Sequence, residues 1–484
     1  MKMYCTFLSI LVLTGCTVGP DFKNSAGSLP ETYTTKEFLG KTVSSEFTFG
    51  AAQVFESSAE VPKDWWRALG SPKLDGLIAQ AMLANPSLQS ARSTLKQSQE
   101  IYNARAGSTL YPQLNTTIGG QRVQLNGANQ GVTTSPDVFN LYNASVGVSY
   151  NFDIFGGNRR VLESLASRAE FQRFQFEGAQ LTLAANIATT AITQAKLQGQ
   201  IRANQTSLKA QDDQIIVARH RLRLGQASED DVLALTSEAE QTRAGIPLLE
   251  TRYKQMTHLL ATLSGQPPGQ SVIPTFSMDD FFIPTKLPLT VPSMLLRKRP
   301  DIQASEALMR AANAEYGAAI AKMYPQLNLS ASLGSLALGP ETLFGAGSLF
   351  WQVLGQITQP LFNPGLPAEN RAALAAFDAA ASNYQTVVLD ALRNVADVLR
   401  ALENDARTLD SQSRANAAAT ALAKSVERQY SHGSASYLQL LIAQLQAQRT
   451  KFELVASQAQ RLIDTVALYQ AMGGGRLSND PSEE

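Results

Sequence analysis

The chain has 484 residues, of which 44% are apolar and 17% charged, and its mean hydropathy is −0.12. Basic and acidic residues balance at 41 each, which argues against a nucleic-acid binder, where a basic excess is usual. No run of 18 or more apolar residues occurs, so no helix is expected to span a bilayer, and the Ala-, Gln-, Leu- and Ser-rich composition suits long, closely packed helices.

The first element is a short apolar run, Tyr4 to Leu13, behind the single charge of Lys2. It has the size of a signal-peptide core rather than of a membrane span. It ends in Leu13-Thr14-Gly15-Cys16, which resembles a bacterial lipobox. In such signals the cysteine thiol receives a diacylglycerol, cleavage makes it the new N-terminus, and a further acyl chain is added. Residues 1–15 are therefore expected to be removed and Cys16 to be lipidated. Several acyl chains anchor stably, because each buried methylene contributes about 0.8 kcal/mol. Thr17, where an Asp would suggest inner-membrane retention, leans towards the outer membrane. Cys5 and Cys16 are the two cysteines, so the remainder of the chain holds no disulfide and no Cys-based metal site. His220, His258 and His432 are scattered, so no metal site is expected.

The rest repeats itself at a distance of about 210 residues. Asn85-Pro86-Ser87-Leu88-Gln89 returns as Arg299-Pro300-Asp301-Ile302-Gln303, and Tyr111-Pro112-Gln113-Leu114-Asn115 returns as Tyr324-Pro325-Gln326-Leu327-Asn328. Phe155-Gly156-Gly157 has a looser echo in Phe362-Asn363-Pro364-Gly365, and Gly225-Gln226-Ala227-Ser228 is matched by Gly433-Ser434-Ala435-Ser436. Four landmarks in the same order indicate a tandem duplication. The expected division is a lipidated N-terminal segment 16–70, a first repeat 71–266, a linker 267–287, a second repeat 288–472 and a tail 473–484.

Each repeat is predicted to open with a helix that starts at a proline, where the missing N–H costs nothing. The helices run to about Ser108 and Met323, and the Tyr-Pro step ends each, since the residue before proline disfavours helix. Two strands follow. From Tyr142 to Asp153 every even position is apolar and every odd one polar or Gly. Leu327, Leu329, Ala331 and Leu333 likewise alternate with Asn328, Ser330, Ser332 and Gly334. Period-two patterning of this length fits a membrane β-strand, apolar to lipid and polar to a lumen, although alternation alone favours a soluble sheet with one buried face.

Long helices come next, roughly Asn158 to Leu224 and Ala368 to His432, each on the order of 100 Å long. A shorter helix returns from each. Along the first return, Val232, Leu235, Ala239, Thr242, Ile246, Leu249, Tyr253, Met256, Leu260 and Leu263 alternate in threes and fours. Along the second, Leu438, Leu441, Leu445, Gln448, Phe452, Val455, Ala459, Leu462, Val466 and Tyr469 do the same. Seven-residue periodicity means coiled-coil packing. The two ladders register at an offset of 206 and the glycines at 208, so a shared seam is not assigned. Pro247 is expected to bend the first return helix. The fold class is thus mainly α with a small β part: helical coiled-coil hairpins plus four strands per chain. Four strands cannot close a barrel, and an open edge cannot sit in lipid. A homotrimer would pool twelve strands, an even number within the range of such barrels, above a tunnel of helical hairpins.

The chain resembles the TolC-like outer membrane factor family, in its NodT-type, OprM-like lipoprotein branch. The residues that carry the likeness are Leu13-Thr14-Gly15-Cys16, Gly19-Pro20-Asp21-Phe22, Trp65-Trp66, Leu263-Ser264-Gly265, Arg297-Lys298-Arg299-Pro300-Asp301-Ile302, Tyr324-Pro325-Gln326-Leu327 and Leu468-Tyr469-Gln470-Ala471-Met472-Gly473-Gly474-Gly475. The resemblance implies a trimeric outer-membrane duct of a Gram-negative bacterium, docked on a periplasmic adaptor (membrane fusion) protein and an inner-membrane pump. Through it drugs, metals or other solutes leave the cell passively. It implies no enzyme activity and no cofactor, and neither a catalytic constellation nor a phosphate loop stands out in the residues.

The resemblance also places the adaptor-docking mouth at the hairpin tips, with Leu224, Gly225, Ala227, Gly433 and Ala435. A left-handed helix cap explains both glycines equally well. Many relatives close this mouth with an Asp and an Arg three residues on, where this chain has Ile442 and Leu445. Leu438, Ile442 and Leu445 are therefore expected to form an apolar periplasmic gate, or else to be coiled-coil seam. Glu229, Asp230 and Asp231 form an acidic cluster that would favour cations at the entrance, or else complement the helix dipole. Arg299, Asp301, Trp65-Trp66 and Tyr324 are read as packing and anchoring residues. The competing reading of the whole chain is a structural periplasmic coiled-coil lipoprotein without transport activity, which predicts heptads but no matched alternating strands.

Overall fold

The computed structural model describes residues 17–23, 32–33, 40–57, 59–125, 137–270 and 272–475. Cys16 and residues 1–15 lie outside the described residues, as does the tail from 476. In chain order the elements are β1 (Val54–Ser57), α1 (Pro72–Ala84), α2 (Pro86–Leu110), β2 (Gln113–Leu125), β3 (Asp137–Phe152), α3 (Gly157–Arg223) and α4 (Glu229–Leu263). Then follow β4 (Lys286–Leu289), α5 (Pro292–Leu295), α6 (Pro300–Ala321), β5 (Gln326–Ala337), β6 (Leu349–Thr358), α7 (Gly365–Ser431) and α8 (Tyr437–Ala471). The helix–strand–strand–long helix–return helix order thus occurs twice. Among the described residues no helix is long and apolar enough to cross a membrane.

The hairpins repeat to the residue. α3 and α7 have 67 residues each and α4 and α8 have 35 each. All four bounds differ by a constant 208, for example 437 − 229. One proline sits inside α4, and the helix runs on through it: Pro247 does not end the element.

The chain forms two compact units, each drawn from three stretches of sequence. The first comprises Met1–Ser25, Thr94–Gln172 and Ser305–Tyr384. It holds a four-stranded antiparallel sheet in the order β2-β3-β5-β6. The middle pair joins the two repeats, with Ser149 opposite Ser330 and Tyr142 opposite Ala337. At the foot of the sheet the Phe155 and Tyr324 rings stack at 4.9 Å, so the second Tyr-Pro landmark meets the first repeat's glycine landmark.

The second unit comprises Ala26–Ser93, Arg173–Ala304 and Gln385–Glu484. Its core gathers Trp65, Leu74, Ile187, Leu260, Phe281 and Leu462, all essentially buried. β1 and β4 form a parallel pair, Val54 opposite Lys286, which ties the N-terminal segment to the stretch between the repeats. Trp65 stacks on Tyr469 at 5.4 Å, and the Trp66 Nε1–H donates to Asp75 at 2.9 Å. Both tryptophans are therefore packing residues. Arg299 is likewise structural: it holds Asp301 at 2.7 Å and donates to the Ala471 carbonyl at 3.0 Å, satisfying an orphan carbonyl at the end of α8. Arg461 is fully buried and donates to the carbonyls of Phe49 at 2.6 Å and Ala51 at 2.7 Å, which pins residues 49–51 onto α8.

Candidate functional site: the two-faced sheet and the hairpin tips

Alternation along the strands becomes two chemically distinct faces. Rows across the sheet follow from the register. Leu114, Val148, Ala331 and Val353 form one row, and Thr116, Val146, Leu333 and Trp351 the next. The face continues down to Phe152, Leu327 and Ile357 and up to Tyr142 and Ala337. Leu114, Ile118, Trp351, Val353 and Ile357 are 62–78% exposed, so none of the described residues covers this face. From Tyr142 to Phe152 the strand rises about 33 Å. At the usual tilt of about 40° that is a band roughly 25 Å tall, the height of the apolar belt of outer-membrane barrels.

The opposite face is mostly polar, with Gln113, Asn115, Thr117, Asn143, Ser145, Ser149, Asn151, Asn328, Ser330, Ser332, Gln352 and Gln356, and includes Leu336, Phe350 and Leu354. Among the described side chains on it, none is charged. Asn151 donates to the Asn328 side chain at 2.8 Å across this face. β2 and β6 are both edge strands, each with one unpaired side.

The hairpin tips lie in the second unit and share one design. The Gly225 N–H donates to the Leu222 carbonyl at 3.0 Å and the Gln226 N–H to Arg221 at 2.9 Å. Gly433 and Ser434 repeat this on Tyr430 and Gln429 at 3.0 and 2.9 Å. Both glycines are left-handed, φ +69° and +76°. This is the double hydrogen bond that ends helices at glycine. The return helices begin with capping boxes, Ser228 with Asp231 and Ser436 with Gln439. Leu224 is exposed, and Ala227 and Ala435 are half-buried. Asp231 is thus occupied in its cap, while Glu229 and Asp230 are exposed in the first turn of α4.

The structure separates the two ladders. All ten positions expected along α4 are buried or half-buried. In α8 the buried seam near the tip is Leu440, Ala443, Thr450 and Leu454, the 208-residue mates of Val232, Leu235, Thr242 and Ile246. Of the ladder expected from Leu438, only Leu438 and Leu445 are exposed; Leu441, Gln448 and Phe452 are half-buried, and Val455, Ala459, Leu462, Val466 and Tyr469 are buried. Leu438, Ile442 and Leu445 are 62%, 58% and 38% exposed and lie outside the buried seam of α8. They form a separate apolar stripe at i, i+4 and i+7.

Sequence reasoning missed an aromatic link at the tips. Tyr430 and Tyr437 meet edge to face at 6.3 Å, and the Arg221 guanidinium lies 4.6 Å over the Tyr430 ring. Tyr437 packs on the first hairpin's cluster of Ile215, Ala218, Val232, Leu235 and Ala239. Burial, followed by the nearby Tyr430, Glu238 and Asp231, pushes its hydroxyl well above the usual phenol range. Nothing in a single tyrosine at a helix start marks such a contact.

Farther along the second hairpin, burial and then the neighbouring Asp464 carboxyl push Asp405 up to about 8, against the opposing pull of Arg461. Among the described residues no cluster of His, Cys, Asp and Glu is arranged to hold a metal ion.

Comparison with known proteins agrees with this geometry. The chain is similar to the pyoverdine export outer membrane protein OpmQ of Pseudomonas aeruginosa, 29% identical over 432 residues that cover 87% of this chain and 90% of the relative. It is 28% identical to the probable efflux pump outer membrane protein TtgC of Pseudomonas putida, covering 97% of this chain and 94% of the relative. Its fold is similar to the solved structure of the outer-membrane channel OprN, with a TM-score of 0.85, 26% identity, and coverage of 96% of this chain and 100% of that one. The family model described as outer membrane efflux protein matches residues 77–266 and 291–474. Its two segments take in both hairpins and all four strands of the sheet, and the chain belongs to that family of outer-membrane channels.

Proposed function

We propose that the chain is the outer-membrane channel of a tripartite efflux system, giving solutes passive passage from a periplasmic adaptor and inner-membrane pump to the exterior. The observation that carries this reading is the four-stranded sheet, with an apolar face that the described residues leave uncovered, a polar face without charge among its described side chains, and two edge strands. In lipid those edges need partners, and three copies supply a closed twelve-stranded barrel with the polar face inward. The rival, a purely structural coiled-coil lipoprotein, has no use for such a sheet. Lipidation at Cys16 holds the N-terminus at the outer membrane. Repeats 71–266 and 288–472 are the two duplicated halves that build barrel and tunnel. The function requires neither catalysis nor a cofactor.

In this reading the tips with Leu224, Gly225, Ala227, Gly433 and Ala435 receive the adaptor. Their backbones are held by capping, which leaves the exposed Leu224 side chain available to a partner. Glu229 and Asp230 add negative potential there. The exposed stripe of Leu438, Ile442 and Leu445 forms apolar rings around the closed mouth, a constriction that gates by dewetting. Two measurements test the reading. Heat-modifiable trimers are expected in the outer-membrane fraction, and a chain that remains a soluble monomer refutes the channel. Ile442→Asp is expected to raise closed-state single-channel conductance, and an unchanged value refutes the apolar gate.

A further inference from the structure

The Gly19-Pro20-Asp21-Phe22 motif is left unexplained by a channel mechanism, and the first unit shows what it does. Arg160, on the first turn of α3, is 4% exposed although it carries a charge. Its guanidinium donates to the Gly19 carbonyl at 3.2 Å, to the Val18 carbonyl at 3.4 Å and to the Asp21 carboxylate at 2.8 Å. Glu163 accepts a further bond at 2.8 Å. Asn313 on α6, itself 3% exposed, donates to the Pro20 carbonyl at 3.0 Å. The Val18 N–H donates to the Phe155 carbonyl at 3.0 Å. A buried guanidinium is costly unless its donors are satisfied, and here most of its partners belong to residues 18–21.

Three glycines make the approach possible. Gly19 has φ +96°, and a Cβ on it would lie 2.7 Å from the Gly317 Cα. A Cβ on Gly317 would press on the Arg160 side chain at 3.0 Å, and one on Gly156 would lie 2.8 Å from Thr17 Cγ2. Thr17 therefore rides over Gly156, four residues past Phe152, the last residue of β3. Fully extended chain covers at most about 14 Å over four residues. Phe152, Leu327 and Ile357 form the sheet's lowest apolar row.

We propose that Arg160 is a positioning residue that seats residues 17–21 at the foot of the sheet, so that acyl chains on Cys16 enter the membrane beside that lowest row. The inference rests on Cys16 being the lipidated residue. The anchor thereby gains a second role. Besides tethering, it holds the barrel strands at the depth where their apolar band meets lipid. Apart from Glu163, the acceptors of Arg160 are the carbonyls and carboxylate of one short segment.

The test uses the full-length chain with a nitroxide on Lys23→Cys, an exposed position next to the clamp. Palmitate incorporation and the yield of membrane-inserted trimer are measured in parallel. The label is expected to be immobile in the parent. In Arg160→Gln it becomes mobile and inserted trimer falls about tenfold, the loss expected from one charge-assisted hydrogen bond, while palmitate uptake is unchanged. Arg160→Lys, which keeps the cation, restores part of the immobility and of the insertion. Gly19→Ala leaves Arg160 in place but wedges the segment off Gly317, and is expected to loosen the label in the same way. Normal palmitate uptake with an immobile label in both Arg160→Gln and Gly19→Ala overturns the clamp alone. A mobile label with full insertion overturns the seating role. A parent chain that takes up no palmitate overturns the Cys16 reading and the anchor's second role with it.

Discussion

Two helix-ending glycines with nearly the same backbone angle offer a clean experiment. Gly433 closes α7 at φ +76° and Gly265 follows the end of α4 at φ +78°. A Cβ on Gly433 would meet nothing within 4 Å, whereas one on Gly265 would lie 2.4 Å from the Ala84 carbonyl oxygen. Gly433→Ala therefore carries only the left-handed backbone penalty of about 1–2 kcal/mol. Gly265→Ala carries the same penalty plus a collision with main chain that cannot rotate away, about 1–3 kcal/mol more. Gly225, at φ +69° with open space around it, is expected to match Gly433. Gly433→Asn is expected to cost less than Gly433→Ala, because Asn tolerates this conformation. Thermal melting of the purified proteins by far-UV circular dichroism ranks the four variants. Adaptor capture, measured where every variant is folded, then separates docking from stability. If Gly265→Ala melts no lower than Gly433→Ala, the geometric reasoning is wrong.

Leu333 and Ser332 are chain neighbours on opposite faces of the sheet. Leu333→Lys is expected to cost about 2–4 kcal/mol of barrel stability, while Ser332→Lys leaves stability nearly unchanged and shifts reversal potentials towards anions. Equal effects on trimer yield would refute the face assignment. Trp65→Ala removes a ring that is 1% exposed and stacked on Tyr469, and is expected to cost about 3–5 kcal/mol in denaturant titrations. Asp405 gives a pH prediction. Between the ordinary carboxylate range near 3.8 and about 8 the folded protein keeps a proton that the unfolded chain has lost. Stability is therefore expected to fall as pH rises through that window. Asp405→Asn should flatten the slope and raise stability above pH 7, and a parent melting curve that is flat from pH 5 to 8 would refute it.

The helical hairpins were legible to within a few residues because their stop signals are local. Sequence reading placed α3 at Asn158–Leu224 and α7 at Ala368–His432, against Gly157–Arg223 and Gly365–Ser431. Glycine, a capping serine and an unbroken heptad act within one turn of the residue they govern. β3 and β5 were legible for the same reason, since their alternation is written in the chain itself. β1 and β4 were not. Each has four residues, and each finds its partner more than 200 positions away. A strand that short has no pattern of its own, and only the fold brings the two together.

The exposed stripe of α8 shows where sequence runs out. Leu438, Ile442 and Leu445 lie on one face of a helix, and so do Leu440, Ala443 and Thr450. Both stripes have helical spacing, and periodicity alone does not say which one turns inward. The tip decides. The Gly433 reversal and the Ser436 cap fix where α8 begins, and the constant offset of 208 then turns the second stripe into the seam and leaves the first exposed.

By itself the sequence determined the duplicated plan, the two kinds of periodicity and the caps, because each depends on contacts between near neighbours. It also marked Gly19-Pro20-Asp21-Phe22 without explaining it. Only tertiary structure decided which stripe of α8 is buried, which strands are neighbours, and that Arg160 holds that motif at the foot of the sheet. Arg160 and Val18 stand 142 positions apart, and the strand partners Tyr142 and Ala337 farther still. No local pattern encodes meetings at such a distance.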